Sequence, residues 1–194
     1  MNLRTVLFVL GILLSILGIA MLLPAIFQFY IGEDGGNFLT SSFITIFVGM
    51  LLILSNLYSE KRLNLREAFI LTTSSWIGIA LFGSFPFFFS NLEMSFSDSL
   101  FESMSGITTT GSTVIANLDI APKGILMWRA LLQWLGGIGV IVMAITILPF
   151  LGVGGMQLFQ IQSASASEKI LPKTKEISFK IFYIYASLTF FCFI

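Results

Sequence analysis

Histidine is absent from the 194 residues, and cysteine occurs once, at Cys192. Those two scarcities exclude imidazole acid–base schemes, zinc sites of the usual kind and any disulfide framework. Charge is scarce as well. Asp, Glu, Lys and Arg make up 10% of the chain and cancel to a formal net charge of +0, so no basic field invites nucleic acid. What remains is apolar: hydrophobic residues supply 56% and mean hydropathy is +0.96. Too little polar surface is left to cover a water-soluble globule. The chain reads as an all-α polytopic membrane protein, with no enzymatic role and no cofactor.

The apolar runs mark the spans. Arg4 is followed by an uncharged stretch from Thr5 to Tyr30, ~39 Å as helix and longer than a signal-peptide core, so it reads as a retained transmembrane helix. Gly11, Ser15 and Gly18 share one face of it, which suits close helix packing. A second span runs from Phe38 to Tyr58. A third, from Ala68 to Ser90, is broken late by Pro86. The fourth, Lys123 to Phe150, carries Trp128 and Trp134 near its start and Pro149 near its end. The last apolar run, Ile181 to Ile194, has about 14 residues where a crossing needs ~20. It reads as the beginning of a helix, and the chain as part of a longer protein.

Cations set the orientation. With the N-terminus inside, Arg4, Lys61, Arg62, Arg66, Lys169, Lys173, Lys175 and Lys180 fall on the cytoplasmic side, and Lys123 and Arg129 outside. That bias follows the positive-inside rule and makes "SEKRLNLRE" a tight cytoplasmic hairpin. "SASASEK", Ser163 to Lys169, is a polar cytoplasmic connector. Glu33, Asp34, Glu93, Asp98, Glu102 and Asp119 face out, giving the outer mouth a mildly negative character. Glu60, Glu67, Glu168 and Glu176 face in.

Between the third and fourth spans, Phe96 to Ile107 is predicted to be a short helix. Ser95 and Ser99 each stand three residues before an acid, Asp98 and Glu102, in capping-box spacing, and Gly106 with the following threonines ends the helix. At ~16 Å it covers roughly half the hydrocarbon core, so it lies on the outer surface or dips in and returns. Phe96, Leu100, Phe101, Met104 and Ile107 favour burial. A dipping helix would turn its negative end toward the membrane interior, where it favours a cation. "TTTG" follows at once, and non-helical backbone at that depth is tolerated only around a water-filled path or inside protein. Threonine favours extended backbone and glycine permits a turn, so Thr108, Thr109, Thr110 and Gly111 can present carbonyls to a dehydrated ion. Hard oxygens without a carboxylate suit a monovalent alkali ion better than calcium or magnesium.

Other residues read more plainly. Asp98 and Glu102 lie one helical turn apart and take an outer-vestibule or structural role. Arg129 either pairs with Glu102 or snorkels. "GGIG", Gly136 to Gly139, sits inside a span without a preceding strand or a phosphate-binding lysine, so it serves helix packing or flexing. Ser103 and Ser105 lack a base and a nucleophile elbow.

The runs "FESMSGITTTGSTV", Phe101 to Val114, and "WRALLQWLGGIGVIVMAITILPFLGVGGMQLF", Trp128 to Phe159, resemble the bacterial TrkH/TrkG potassium uptake family, relatives of KtrB and plant HKT transporters. In that family, four span, pore-loop, span units surround one pore, each giving a filter segment with a key glycine. The resemblance implies an accessory helix pair at 1–66, a first span, pore-loop, span unit at 67–160, and a connector with the start of a second unit at 161–194. Gly111 matches the filter glycine, and Thr108, Thr109 and Thr110 match the carbonyl donors before it. It further implies potassium as substrate, a homodimer, a cytoplasmic TrkA-type nucleotide-binding regulator, and a place in the bacterial inner membrane. One unit supplies one of four filter segments. The competing function is a non-conducting membrane scaffold whose loop only packs.

Overall fold

The computed structural model describes residues 3–57, 65–151 and 166–193. Tyr58 at the end of the second span, residues 59–64 of the basic hairpin, residues 163–165 of the connector and the boundary expected at 160 lie outside the described residues. All regular structure among the described residues is helical: α1 (Leu3–Ala20), α2 (Leu22–Ile31), α3 (Gly36–Ser55), α4 (Leu65–Gly83), α5 (Phe85–Phe88), α6 (Phe96–Ile107), a 3-10 turn (Leu118–Ile120), α7 (Lys123–Leu151) and α8 (Ala166–Phe193). Leu3–Ile31, Gly36–Ser55, Arg66–Phe88 and Lys123–Ile141 are long and apolar enough to cross a membrane. They fall on the apolar runs that the sequence marks as spans.

Proline accounts for two interruptions. The first span, expected to be one helix, breaks at Met21 into α1 and α2. Pro24 lacks an N–H for the Ala20 carbonyl, and its ring crowds that carbonyl. Continuity survives through Met21 N–H to Leu17 O at 3.1 Å and Ala25 N–H to Met21 O at 3.4 Å. Pro86 acts in the same way on the Phe82 carbonyl, and the third span breaks at Ser84 between α4 and α5, as expected.

The residues from Met1 to Gly136 form one compact unit and those from Gly137 to Ile194 a second. In the first, α1 lies against α3 and α4, so helices on both sides of residue 66 belong to one compact body. Gly11 and Gly18 make the α1–α3 approach possible. A Cβ on Gly11 would stand 2.7 Å from the Gly49 carbonyl, and Ser42 Oγ donates to the Gly18 carbonyl at 2.7 Å. Such contact matters in lipid, where packing and interhelical hydrogen bonds hold helices together without a hydrophobic drive between them. Leu14, Leu17, Met21, Phe38, Phe87, Ile125, Trp128 and Leu132 form the core, while Ile16, Ile19, Ile26, Phe43 and Phe47 are exposed, as residues facing acyl chains can be.

In the second unit, α8 runs for 28 residues, although its apolar part is Phe179–Cys192. The connector expected through Lys169 is therefore already helical from Ala166. Lys and Glu are good helix formers, and hydropathy does not register them.

Candidate functional site

The break before α5 builds the floor of the site. Pro86 leaves the end of α4 without regular continuation, and the Gly83 carbonyl takes its hydrogen bond from outside the helix: Trp128 Nε1–H of α7 donates to it at 3.0 Å. Trp128 is fully buried and meets Phe38 of α3 edge-to-face, with ring centroids 6.3 Å apart. Ser103 of α6 sits against Gly83, where a Cβ would lie 2.6 Å from Ser103 Oγ. Thus α4, α6 and α7 meet around one buried main-chain oxygen and one indole.

Helix α6 has the bounds that the sequence predicts, Phe96–Ile107. Ser95 caps it: its Oγ accepts from Asp98 N–H at 3.1 Å and donates to Asp98 Oδ2 at 2.6 Å. The second expected capping box does not form. Ser99 lies inside the helix, with its hydroxyl on the Ser95 carbonyl at 2.9 Å, and the Glu102 side chain turns elsewhere.

Beyond the C-terminus, four successive amides fold back onto the last turn. Thr108 N–H donates to Met104 O at 2.9 Å, Thr109 N–H to Gly106 O at 2.9 Å, and Thr110 and Gly111 N–H both to Ser105 O, at 3.0 and 3.4 Å. The φ angles alternate in sign to achieve this: −81° at Thr108, +57° at Thr109, negative at Thr110, and +77° at Gly111. Alternating handedness gathers successive N–H groups on one side; here that side is the helix end, with its unsatisfied carbonyls. The carbonyls of Thr108, Thr109, Thr110 and Gly111 accept none of the hydrogen bonds traced among the described residues, and all four residues are exposed. No cluster of His, Cys, Asp and Glu that could hold a metal occurs among the described residues. The strip offers main-chain oxygens instead.

The chain then climbs back along α6, tied to it at two levels. Ser105 Oγ donates to the Ser112 carbonyl at 2.6 Å. One turn earlier, Glu102 Oε2 accepts from Thr113 Oγ1 at 3.1 Å and Val114 N–H at 3.0 Å. Its other oxygen, Oε1, forms an ion pair with Arg129 Nε of α7 at 2.6 Å. Of the two fates open to Arg129 in the sequence, pairing is the one the structure takes. Glu102 has 0% exposure and Arg129 12%, so this acid belongs to the packing behind the loop and not to an open mouth. Asp98 stays half-buried in the first turn and lines a cavity of about 250 Å³ with Glu93, Val114 and Ile115.

Gly136 packs α7 under the strip, against the main chain of Ile107, and a Cβ on Gly137 would lie 2.8 Å from the Tyr185 hydroxyl. The first two glycines of the "GGIG" run therefore serve packing, while a Cβ on Gly139 meets nothing within 4 Å among the described residues. The sequence gives no role to Thr113 or Gln133, whose Nε2 would lie 3.8 Å from a Cβ on Gly111. For Arg129 the available signal is a charge inside an apolar span, which commonly marks a partner within the bundle.

Four crossing-length helices and a short helix that folds its following loop back on itself define an all-helical, multi-pass membrane protein. A match to the TrkH family, described as a cation transport protein, extends over residues 34–194. The chain belongs to the TrkH family. The Trk system potassium uptake protein TrkH of Halomonas elongata is 39% identical over 196 residues, which cover 99% of this chain and 41% of the relative. Its namesake in Escherichia coli K12 is 34% identical, with 99% and 41% covered. The crystal structure of the potassium transporter TrkH from Vibrio parahaemolyticus superposes with a TM-score of 0.83 at 37% identity, covering 98% of this chain and 38% of that one. The chain spans about two fifths of the length of these curated relatives.

Proposed function

We propose that this chain is part of the pore-forming subunit of a Trk-type potassium uptake system, in which Thr108, Thr109, Thr110 and Gly111 supply one of four segments of a potassium filter. The observation that carries the reading is the folding of four successive amides onto the end of α6. With the N–H groups spent there, the opposite, exposed edge of the strip is left to carbonyl oxygens, the ligands that replace an alkali ion's hydration shell. The C-terminal end of α6 adds a partial negative charge beside them. Asp98, with Glu93 at the same cavity, adds negative charge near the entrance.

The remaining assignments rest on the family and, for orientation, on the distribution of cations. The N-terminus is cytoplasmic, the membrane is the bacterial inner membrane, and the complete protein is a homodimer bound to a cytoplasmic TrkA-type nucleotide-binding regulator. Residues 1–66 form an accessory helix pair and 67–160 the first pore unit, with a second unit beginning in 161–194. It transports and does not catalyse. The test is potassium-limited growth and rubidium uptake in a strain without potassium uptake, rescued by the complete gene product. Rescue should be lost in Gly111→Asp at normal membrane abundance. Unaltered uptake and ion preference in that variant would instead favour a scaffold whose loop only packs.

A further inference from the structure

From the contacts of one carboxylate we infer that Glu102, held by Arg129, is a positioning residue that fixes the returning limb of the Thr108–Gly111 loop and thereby sets ion preference. The inference rests on the filter reading above. Two donors meet one oxygen of this side chain, Thr113 Oγ1 at 3.1 Å and Val114 N–H at 3.0 Å, and its other oxygen faces the Arg129 guanidinium as an ion pair, with Nε 2.6 Å away. An ionised carboxylate is acceptor-only and can serve both donors and the cation at once, whereas an amide would turn its NH2 toward one of them. Thr113 extends the chain, because its hydroxyl accepts from Ile115 N–H at 3.0 Å while donating to Glu102.

Placement makes the brace specific. The loop leaves α6 through amides bonded to Met104, Ser105 and Gly106 and returns through Ser112 on Ser105 and Thr113 and Val114 on Glu102. Both ends of the strip are thus referred to one helix, and Arg129 ties that helix to α7. A carboxylate with 0% exposure, neutralised at 2.6 Å, cannot act as a long-range attractor for cations. Its charge is used locally, to strengthen the hydrogen bonds that set where the limb runs. Small displacements of filter oxygens alter which ion replaces its water shell best, so the brace should show in discrimination.

The experiment measures potassium, rubidium and sodium uptake by the complete gene product in a strain lacking potassium uptake, at matched membrane abundance. Thr113→Val leaves the ion pair intact and removes one tie; its potassium-over-sodium preference should fall severalfold. Glu102→Gln alone strands Arg129 and should lower abundance. Glu102→Gln combined with Arg129→Gln removes both charges and should recover abundance while preference stays about tenfold below wild type. If the double variant and Thr113→Val both keep wild-type preference, Glu102 merely neutralises Arg129 and the inference is overturned. Gly111→Ala, run in parallel, separates the two levels. No change of preference there sinks the filter reading itself, whereas a change in Gly111→Ala alone sinks only the brace.

Discussion

Gly136 of α7 lies so close under Ile107, the last residue of α6, that a methyl group placed on it would overlap the Ile107 carbonyl oxygen and stand 2.7 Å from its carbonyl carbon. The obstacle is backbone and cannot swing aside. Gly136→Ala must push α7 away from the end of α6, at a cost of about 1–3 kcal/mol for overpacking, and it disturbs the residue from which the strip starts. Gly139 is the control, since a Cβ there meets nothing within 4 Å among the described residues. Thermal unfolding in detergent and rubidium uptake should both fall for Gly136→Ala and stay near wild type for Gly139→Ala.

Gly111 is required for a different reason. A Cβ there meets only Gln133 Nε2, at 3.8 Å, so space is ample, but φ is +77°. An alanine in this region is strained by about 1–2 kcal/mol. Gly111→Ala should keep its abundance and lose potassium discrimination. Thr109 shares the left-handed region at φ +57°, which a β-branched residue rarely enters. Thr109→Gly should retain uptake, whereas Thr109→Pro should abolish it, because proline fixes φ near −65° and deletes the N–H given to Gly106 O. Side-by-side uptake assays of the three variants check this ordering.

These variants also show which parts of the molecule can be read from the chain. The bounds of α6 are local: Ser95 reaches Asp98 three residues on, and Gly106 with the threonines stops the helix. Pro86 announces its own break. Pro24 does the same, yet a hydropathy reading passes over it because proline interrupts hydrogen bonding without interrupting apolarity. The partners of Glu102 leave no such trace. Thr113 and Val114 lie eleven and twelve residues away on irregular backbone, and Arg129 is on another helix. The spacing of Glu102 from Ser99 even suggests a cap, which the tertiary ion pair overrides. Gly111 is legible as a glycine that must turn, while the left-handed Thr109 is not, since its residue type argues against the conformation it adopts.

Trp128 offers a test of the floor. Its indole N–H is the donor for the Gly83 carbonyl, which sits where Pro86 has interrupted the helix. Trp128→Phe keeps an aromatic ring for the edge-to-face contact with Phe38 but leaves the buried carbonyl without that donor, a loss of about 1–3 kcal/mol. The apparent melting temperature in detergent should drop. Discrimination between potassium and sodium, read on the surviving protein, should change less than in Gly111→Ala, because Gly83 lies behind α6 and not in the strip.

The seam between α1 and α3 should be separable from conduction altogether. A Cβ on Gly49 would stand 2.5 Å from Ser15 Oγ and 2.9 Å from the Gly11 carbonyl, and Ser15 is already committed to that carbonyl at 2.8 Å. The Ser15 side chain can rotate, but the Gly11 carbonyl and the Ser15 amide nitrogen, both at 2.9 Å, cannot, so Gly49→Ala should already push the helices apart at a cost of about 1–3 kcal/mol, and Gly49→Val should part them further. In lipid no hydrophobic drive compensates for that parting, because acyl chains solvate the exposed faces as well as the partner helix does. Both variants should lose melting temperature in that order while keeping the ion preference of the wild type. A changed preference in Gly49→Ala would mean that the α1–α3 pair, through the contact of α1 with α4, helps set the position of the strip.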